Sequence, residues 1–188
     1  MNRKQYDTFI HSLRLLFSGK GSQIASLGSH IDKQMTQTNL WIMVLSYGSV
    51  ILFKYLINQW IEPSISTNDL YSIVTKPSLL FLTPWITSWF VAKVGSVTNS
   101  SLNQEEIFGC LVVATIPIWI LEVVTTLIPW LYFVWILGPY FGYIIYYLYQ
   151  SKEHIAPQEK IRYTIATILL YLFVYFGTSL LFNMINLL

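Results

Sequence analysis

The chain of 188 residues is 54% hydrophobic and only 11% charged, and its mean hydropathy is +0.53. These values lie outside the range of ordinary soluble domains and indicate an integral membrane protein. The formal net charge of +2 is too small to indicate a nucleic-acid partner, and the single cysteine excludes an intramolecular disulfide.

Residues 1–39 form the main polar stretch and predict a cytoplasmic amphipathic segment. From Tyr6 to Phe17 the apolar residues recur at offsets of three and four, which places them on one helical face, opposite charged residues such as Arg14. Such a helix either lies on anionic lipid or packs against the rest of the protein. Residues 40–188 then predict one all-α membrane domain.

This domain contains five apolar stretches, each of about the roughly 20 residues that a membrane-spanning helix needs. The second stretch is the weakest, because Pro84, Lys93 and several hydroxyl residues dilute it. The predicted spans are about 40–60, 78–97, 107–128, 131–150 and 163–188.

The distribution of basic residues supports all five spans. With a cytoplasmic N-terminus, nine of the 11 lysines and arginines fall on the inner side, Lys76 falls outside and Lys54 lies within the first span. If the second stretch did not cross, the loop that carries Lys152, Lys160 and Arg162 would lie outside, against the positive-inside rule. The sequence therefore predicts a five-helix bundle with its C-terminus outside.

Three prolines mark breaks in these spans, because proline has no N–H to donate to the helix. Pro84 and Pro117 fall inside the second and third spans and predict kinks. Pro129 divides a long apolar run and predicts the turn of a transmembrane hairpin.

Four features occur in a fixed order: Val113–Pro117 in the third span, the Ile128–Pro129 hairpin, the tyrosine-rich run 142–149, and the stretch 157–164 that leads into the last span. In this order the chain resembles the Yip family of five-span membrane proteins, named for eukaryotic members that interact with Ypt/Rab GTPases. The resemblance is to the small bacterial members and implies a bacterial cytoplasmic membrane, or an ER or Golgi membrane in a eukaryote.

The chain departs from the eukaryotic members in two places. Its N-terminal segment is short and basic, which argues against binding of a small GTPase, and Tyr149-Gln150 stands where a glycine often follows the tyrosines. The resemblance therefore implies a fold and a topology but no defined activity.

The fourth span carries two further patterns. Tyr140, Tyr143 and Tyr147 share one helical face, either as an aromatic belt at the membrane interface or as a hydroxyl-lined groove for lipid or a partner helix. Gly138 and Gly142 have the Gly-x-x-x-Gly spacing, which favours close helix packing within the bundle over a dimer face.

Two charges lie deep in the predicted hydrocarbon. Counted from the predicted span starts, Lys54 lies ~21 Å along the first span and Glu122 ~22 Å along the third, so both reach the same depth. A buried pair lowers the cost of each charge, and the sequence therefore predicts an ion pair between neighbouring first and third spans. The alternatives are separate snorkelling of each side chain and a pair on a solute path.

The sequence contains no pattern typical of a catalytic, cofactor or metal site: His11, His30 and His154 lack the spacing of metal ligands. We therefore expect a non-enzymatic membrane protein with an organising or adaptor role through its cytoplasmic loops and lipid contacts. The expected partners are membrane lipids and other membrane proteins or further copies of the chain. The alternative function is a small transporter or channel for an ion or small solute.

Overall fold

The structure is a computed structural model that describes residues 3–61, 67–97, 102–131, 139–153 and 155–185. The described residues contain helices and no strand, so the predicted all-α class is confirmed. In chain order the helices are α1 (Arg3–Leu16), α2 (Gly21–Ser29), α3 (Lys33–Ile61), α4 (Thr67–Val97), α5 (Gln104–Ala114), α6 (Ile116–Leu127), α7 (Tyr140–Gln150) and α8 (Pro157–Ile185).

Among the described residues, three stretches of helix are long and apolar enough to cross a membrane. They are Lys33–Asn58 in α3, Gln104–Leu127 across α5 and α6, and Pro157–Leu181 in α8. The predicted second span lies within α4, and the predicted fourth span is described only from residue 139 onward, in α7. α3 begins at Lys33, seven residues before the predicted start at Leu40.

Local chemistry explains where α5 begins. The side chain of Asn103 accepts a hydrogen bond from the Glu106 backbone N–H over 2.9 Å, and the Glu106 carboxylate accepts one from the Asn103 N–H over 3.3 Å. This reciprocal capping box satisfies two backbone donors at the helix start. Glu105 and Glu106 also place negative charge at the positive end of the helix dipole.

The prolines act differently from one another. α5 ends at Ala114 and α6 begins at Ile116, so the candidate span Gln104–Leu127 is interrupted two residues before Pro117. α6 ends at Leu127, and residues 129–131 form a single 3₁₀ turn at the predicted hairpin position. α4, by contrast, continues without interruption through Pro77 and Pro84.

The centre of the bundle is α5, whose residues from Cys110 to Ala114 are all fully buried. It contacts α3, α4 and α7, while α4 also packs against α3 and α8. α8 instead presents a broad apolar surface to its surroundings, with Leu169 62% and Phe173 76% exposed. Such exposure of large apolar side chains suits lipid and would be unfavourable in water.

Polar contacts show that α5 and α8 begin at the same end of the bundle. Lys152, just after α7, lies 3.8 Å from the carboxylate of Glu106 at the start of α5. Lys160 in the first turn of α8 donates to the Gln150 carbonyl over 2.9 Å. α5 and α8 therefore begin at the same end.

The N-terminal helices pack onto the bundle. α1 contacts α2 and α3, and α2 lies along α7. Phe9 of α1 makes an edge-to-face contact with Trp119 of α6, with ring centroids 5.9 Å apart. At Gly28 the fit of α2 against α7 is so close that a Cβ would lie 3.0 Å from the Leu148 carbonyl oxygen. α1 and α2 thus pack on the rest of the bundle through their buried residues.

Candidate functional site

The central feature of the site is the carboxyl group of Glu122. Glu122 lies in α6, 18 residues after the start of the candidate span Gln104–Leu127, or ~27 Å along it. Tyr175 of α8 donates a hydrogen bond of 2.7 Å to Oε1, and Tyr47 of α3 donates one of 3.0 Å to Oε2. Each carboxyl oxygen therefore has a donor from a different helix.

Two further side chains complete this cluster. The Tyr47 hydroxyl lies 3.4 Å from the hydroxyl of the buried Thr126, one turn after Glu122. The ring of Tyr171, one turn before Tyr175, is stacked on the Tyr175 ring with centroids 6.4 Å apart. The carboxyl group thus lies among hydroxyl groups and aromatic rings contributed by α3, α6 and α8.

The structure does not join Lys54 to Glu122. The Lys54 side chain is exposed, and both oxygens of Glu122 accept hydrogen bonds from tyrosines instead. α3 and α6 are in contact as predicted, but the ion pair does not form between these two described residues. Across the described part of the chain, no lysine or arginine nitrogen lies within 4.0 Å of the Glu122 carboxylate.

Other polar groups are buried in the same bundle. The amide of Asn39 in α3 and the hydroxyls of Thr83 and Thr87 in α4 are fully buried, with no hydrogen-bond partner among the described residues. An unsatisfied polar group in hydrocarbon costs several kcal/mol. These positions are therefore places where a polar molecule or ion would gain by binding.

The predicted tyrosine face lies against the N-terminal segment. Tyr140 donates to the Leu16 carbonyl over 2.5 Å, and Tyr143 donates to the Gly19 carbonyl over 3.1 Å. The last carbonyls of a helix have no partner within it, so the Tyr140 hydroxyl satisfies one of them at the end of α1. The Tyr143 and Tyr147 rings continue the row with centroids 4.8 Å apart. This face therefore lies against the chain's own segment from the end of α1 to the start of α2.

The glycine pair is only partly described. A Cβ on Gly142 would lie 3.0 Å from Cδ1 of Ile168 in α8, so Gly142 lies at a close contact within the bundle. Gly138 lies outside the described residues.

The site contains two residues that the sequence analysis did not select, Tyr47 and Tyr175. In a chain with 13 tyrosines, neither stands out by spacing or by a neighbouring charge.

Within the described residues no group of three His, Cys, Asp or Glu side chains is arranged to hold a metal ion. Compared with protein-family models, curated proteins and solved structures, the chain matches none.

Proposed function

We propose that this protein is a five-span, non-enzymatic membrane protein whose bundle binds a cation at Glu122, as a small transporter or channel does. The observation that carries the proposal is a carboxyl group inside a candidate span with two tyrosine donors and no basic partner among the described residues.

The five-span topology is supported by the directions of the three candidate spans. α5 and α8 begin at the same end, where Lys152 meets Glu106, and Glu122 meets Tyr175 well beyond that end. Near the start of α3, Thr36 lies beside Gly109 of α5, and further along Tyr47 reaches Glu122. The three spans are therefore parallel, and a chain that crosses three times in one direction must return twice in between.

α4 supplies the first return crossing in this proposal. It has 31 residues, or ~46 Å, and packs against α3 and α8. Gly48, 13 residues before the end of α3, lies beside Pro77, ten residues after the start of α4, and this pairing supports an antiparallel course of α4. Trp85 and Trp89 are both nearly half exposed, as suits aromatic side chains that face lipid. The second return is the predicted span 131–150.

Binding of a cation follows from electrostatics in a medium without water. A charged side chain inside the bilayer costs several kcal/mol and is retained where it has a partner or a function. Two tyrosine hydroxyls solvate the Glu122 carboxylate but do not neutralise it. A cation would neutralise it, and the effective dielectric inside a protein is lower than in water, which strengthens the attraction.

Flux in reconstituted vesicles tests this function. Uptake of Na⁺, K⁺ and protons under an inside-negative potential should exceed that of protein-free vesicles for at least one of the three ions. Glu122→Gln should lower this flux by about tenfold or more, because the neutral amide removes a full charge interaction. Tyr146→Phe is the control, since Tyr146 lies on α7 whereas the donors to the Glu122 carboxylate come from α3 and α8. Flux equal to that of protein-free vesicles, or unchanged in Glu122→Gln, would contradict the proposal.

A second role, as a membrane-organising or adaptor protein of Yip type, is favoured by the outer face of the N-terminal segment. Ile10 is 41% and Phe17 55% exposed, beside the exposed Arg14 and Lys20. Exposed apolar and basic side chains in one segment suit an anionic lipid surface. In this role the segment contacts lipid on the cytoplasmic side of a bacterial membrane. The orientation is supported by the basic residues at the end where Lys152 and Lys160 lie.

Vesicle binding tests this second role. The full-length protein in nanodiscs should bind anionic vesicles more tightly than neutral ones, with binding weakened by salt. Arg14→Gln and Lys20→Gln together should remove that difference, because each basic residue contributes about 1 kcal/mol near an anionic surface. Equal binding to both kinds of vesicle would contradict a lipid contact through this segment.

A further inference from the structure

A groove of about 510 Å³ lies between α6, α7 and α8, next to the Glu122 cluster. This volume is within the ~300–1,000 Å³ typical of small-molecule sites. Its lining is almost entirely apolar and aromatic and includes Ile118, Phe141, Ile168, Tyr171, Leu172 and Phe176.

The groove and the carboxyl group share one tyrosine. Tyr175 lines the groove, and its hydroxyl donates to Oε1 of Glu122 over 2.7 Å. Ile118, which also lines the groove, lies one helical turn before Glu122 and therefore on the same face of α6. A ligand in the groove would thus have a single hydroxyl between it and the carboxylate.

The walls of the groove present aromatic rings. Phe141 and Tyr171 have centroids 4.6 Å apart, and the Tyr171 and Tyr175 rings are stacked within 11° of parallel. Ring faces attract cations through their quadrupole, by about 2 kcal/mol or more where water is excluded. On the outer side the groove is bounded by Leu172 and Phe176, which are 44% and 60% exposed. A ligand would therefore enter sideways from the bilayer.

We propose that this groove binds a lipophilic cation, whose charge Glu122 attracts across the Tyr175 hydroxyl and whose apolar groups lie against the aromatic walls. The inference rests on the proposed cation-binding function and names the class of cation. A small hydrated ion would gain nothing from an apolar groove that opens toward lipid. An uncharged chain would fill the groove but would leave the carboxylate without a counter-charge. A lipophilic cation satisfies both parts of the site.

The test uses two ions of the same shape and opposite charge. Tetraphenylphosphonium and tetraphenylborate are titrated into the purified full-length protein in a neutral detergent, and binding is followed by calorimetry. The cation should bind and the anion should not. Glu122→Gln should weaken cation binding by about tenfold or more, because it removes the charge that selects the ligand.

A second pair of variants tests whether the ligand lies in the groove, without altering the Glu122 carboxylate. Leu172→Trp narrows the groove and should weaken binding of tetraphenylphosphonium by about tenfold. Leu169 is on the same helix and 62% exposed, but it does not line the groove. Leu169→Trp should therefore keep the affinity for tetraphenylphosphonium within about twofold of the wild type. Because both positions face outward, this pair remains informative if the yield of Glu122→Gln is low.

The possible results separate this inference from the function on which it rests. Equal binding of the two ions, or equal binding to the wild type and Glu122→Gln, would overturn the charged site and leave a groove that selects by shape alone. Glu122-dependent flux of Na⁺, K⁺ or protons without binding of tetraphenylphosphonium would overturn the lipophilic-cation site and keep the proposed function. Binding that is lost in both Glu122→Gln and Leu172→Trp supports the site.

Discussion

Removal of the Tyr175 hydroxyl tests the Glu122 cluster most directly. Tyr175→Phe keeps the ring and deletes the shorter of the two hydrogen bonds to the carboxylate, which measures 2.7 Å. The Tyr47 hydroxyl, 3.0 Å from the other oxygen, stays in place, so the carboxylate keeps one donor. The variant therefore isolates one charge-assisted hydrogen bond.

The magnitude lies between two reference values. A hydrogen bond to a charged group contributes about 1.5–3 kcal/mol in soluble proteins. Hydrogen bonds between membrane helices average about 0.6 kcal/mol and reach about 1.7 kcal/mol, because the unfolded chain in the membrane also finds partners. Since the acceptor is a carboxylate and one donor remains, we expect Tyr175→Phe to lower the free energy of unfolding by about 1–2 kcal/mol.

The measurement is an unfolding titration in mixed micelles with a double-mutant cycle. Tyr175→Phe, Glu122→Gln and the double variant should show a coupling energy of about 1 kcal/mol, because each single change removes the same interaction. Tyr146→Phe serves as the control and should stay within about 0.5 kcal/mol of the wild type. Additive losses, or a Tyr175→Phe effect no larger than that of the control, would refute the hydrogen bond as a stabilising contact.

Three further predictions follow from the same structure. A reporter fused after Leu188 should lie outside the cytoplasm, and a cytoplasmic reporter would remove the five-span topology. Gly28→Ala should destabilise the protein by about 1–3 kcal/mol in the same titration, because its Cβ would press on the α7 backbone; Gly177→Ala, which meets nothing within 4 Å, should be neutral or stabilising. Glu122→Lys should lower the folded yield, and adding Lys54→Glu should not restore that yield, since Lys54 is exposed. A restored yield in the double variant would show that the two residues form an ion pair.

The periodicity of α1 does not determine what covers its apolar face. The repeat of apolar residues in α1 leaves two partners open, lipid and protein, because either one covers an apolar face. The structure buries Phe9 and Leu16 against the protein and leaves Ile10 and Phe17 exposed. One helix therefore has a face for each partner, and only its packing against α2, α3 and Trp119 of α6 decides which residues belong to which.

The sequence by itself determined the features that depend on local chemistry. The composition established that this is a membrane protein, since hydrocarbon disfavours charged side chains and backbone polar groups without a hydrogen-bond partner. The missing N–H of proline located the interruption beside Pro117 and the end of α6 before Pro129, because these effects act within one helical turn. Pro84 shows that a proline alone does not end a helix, since α4 continues through it.

Only the tertiary structure decided what Glu122 contacts. Depth along a span is readable from sequence only if the start of the helix is known, and α3 begins seven residues earlier than its first apolar run suggests. Counted from the observed helix starts, Tyr47 lies 14 residues along, Lys54 21 and Glu122 18, so the count pairs Glu122 with neither. Seven residues are two helical turns, so the Tyr47 and Lys54 side chains lie on nearly the same face of α3 but ~10 Å apart along the axis. The packing of α3 against α6, which neither helix determines alone, makes Tyr47 and not Lys54 the partner of the Glu122 carboxyl group.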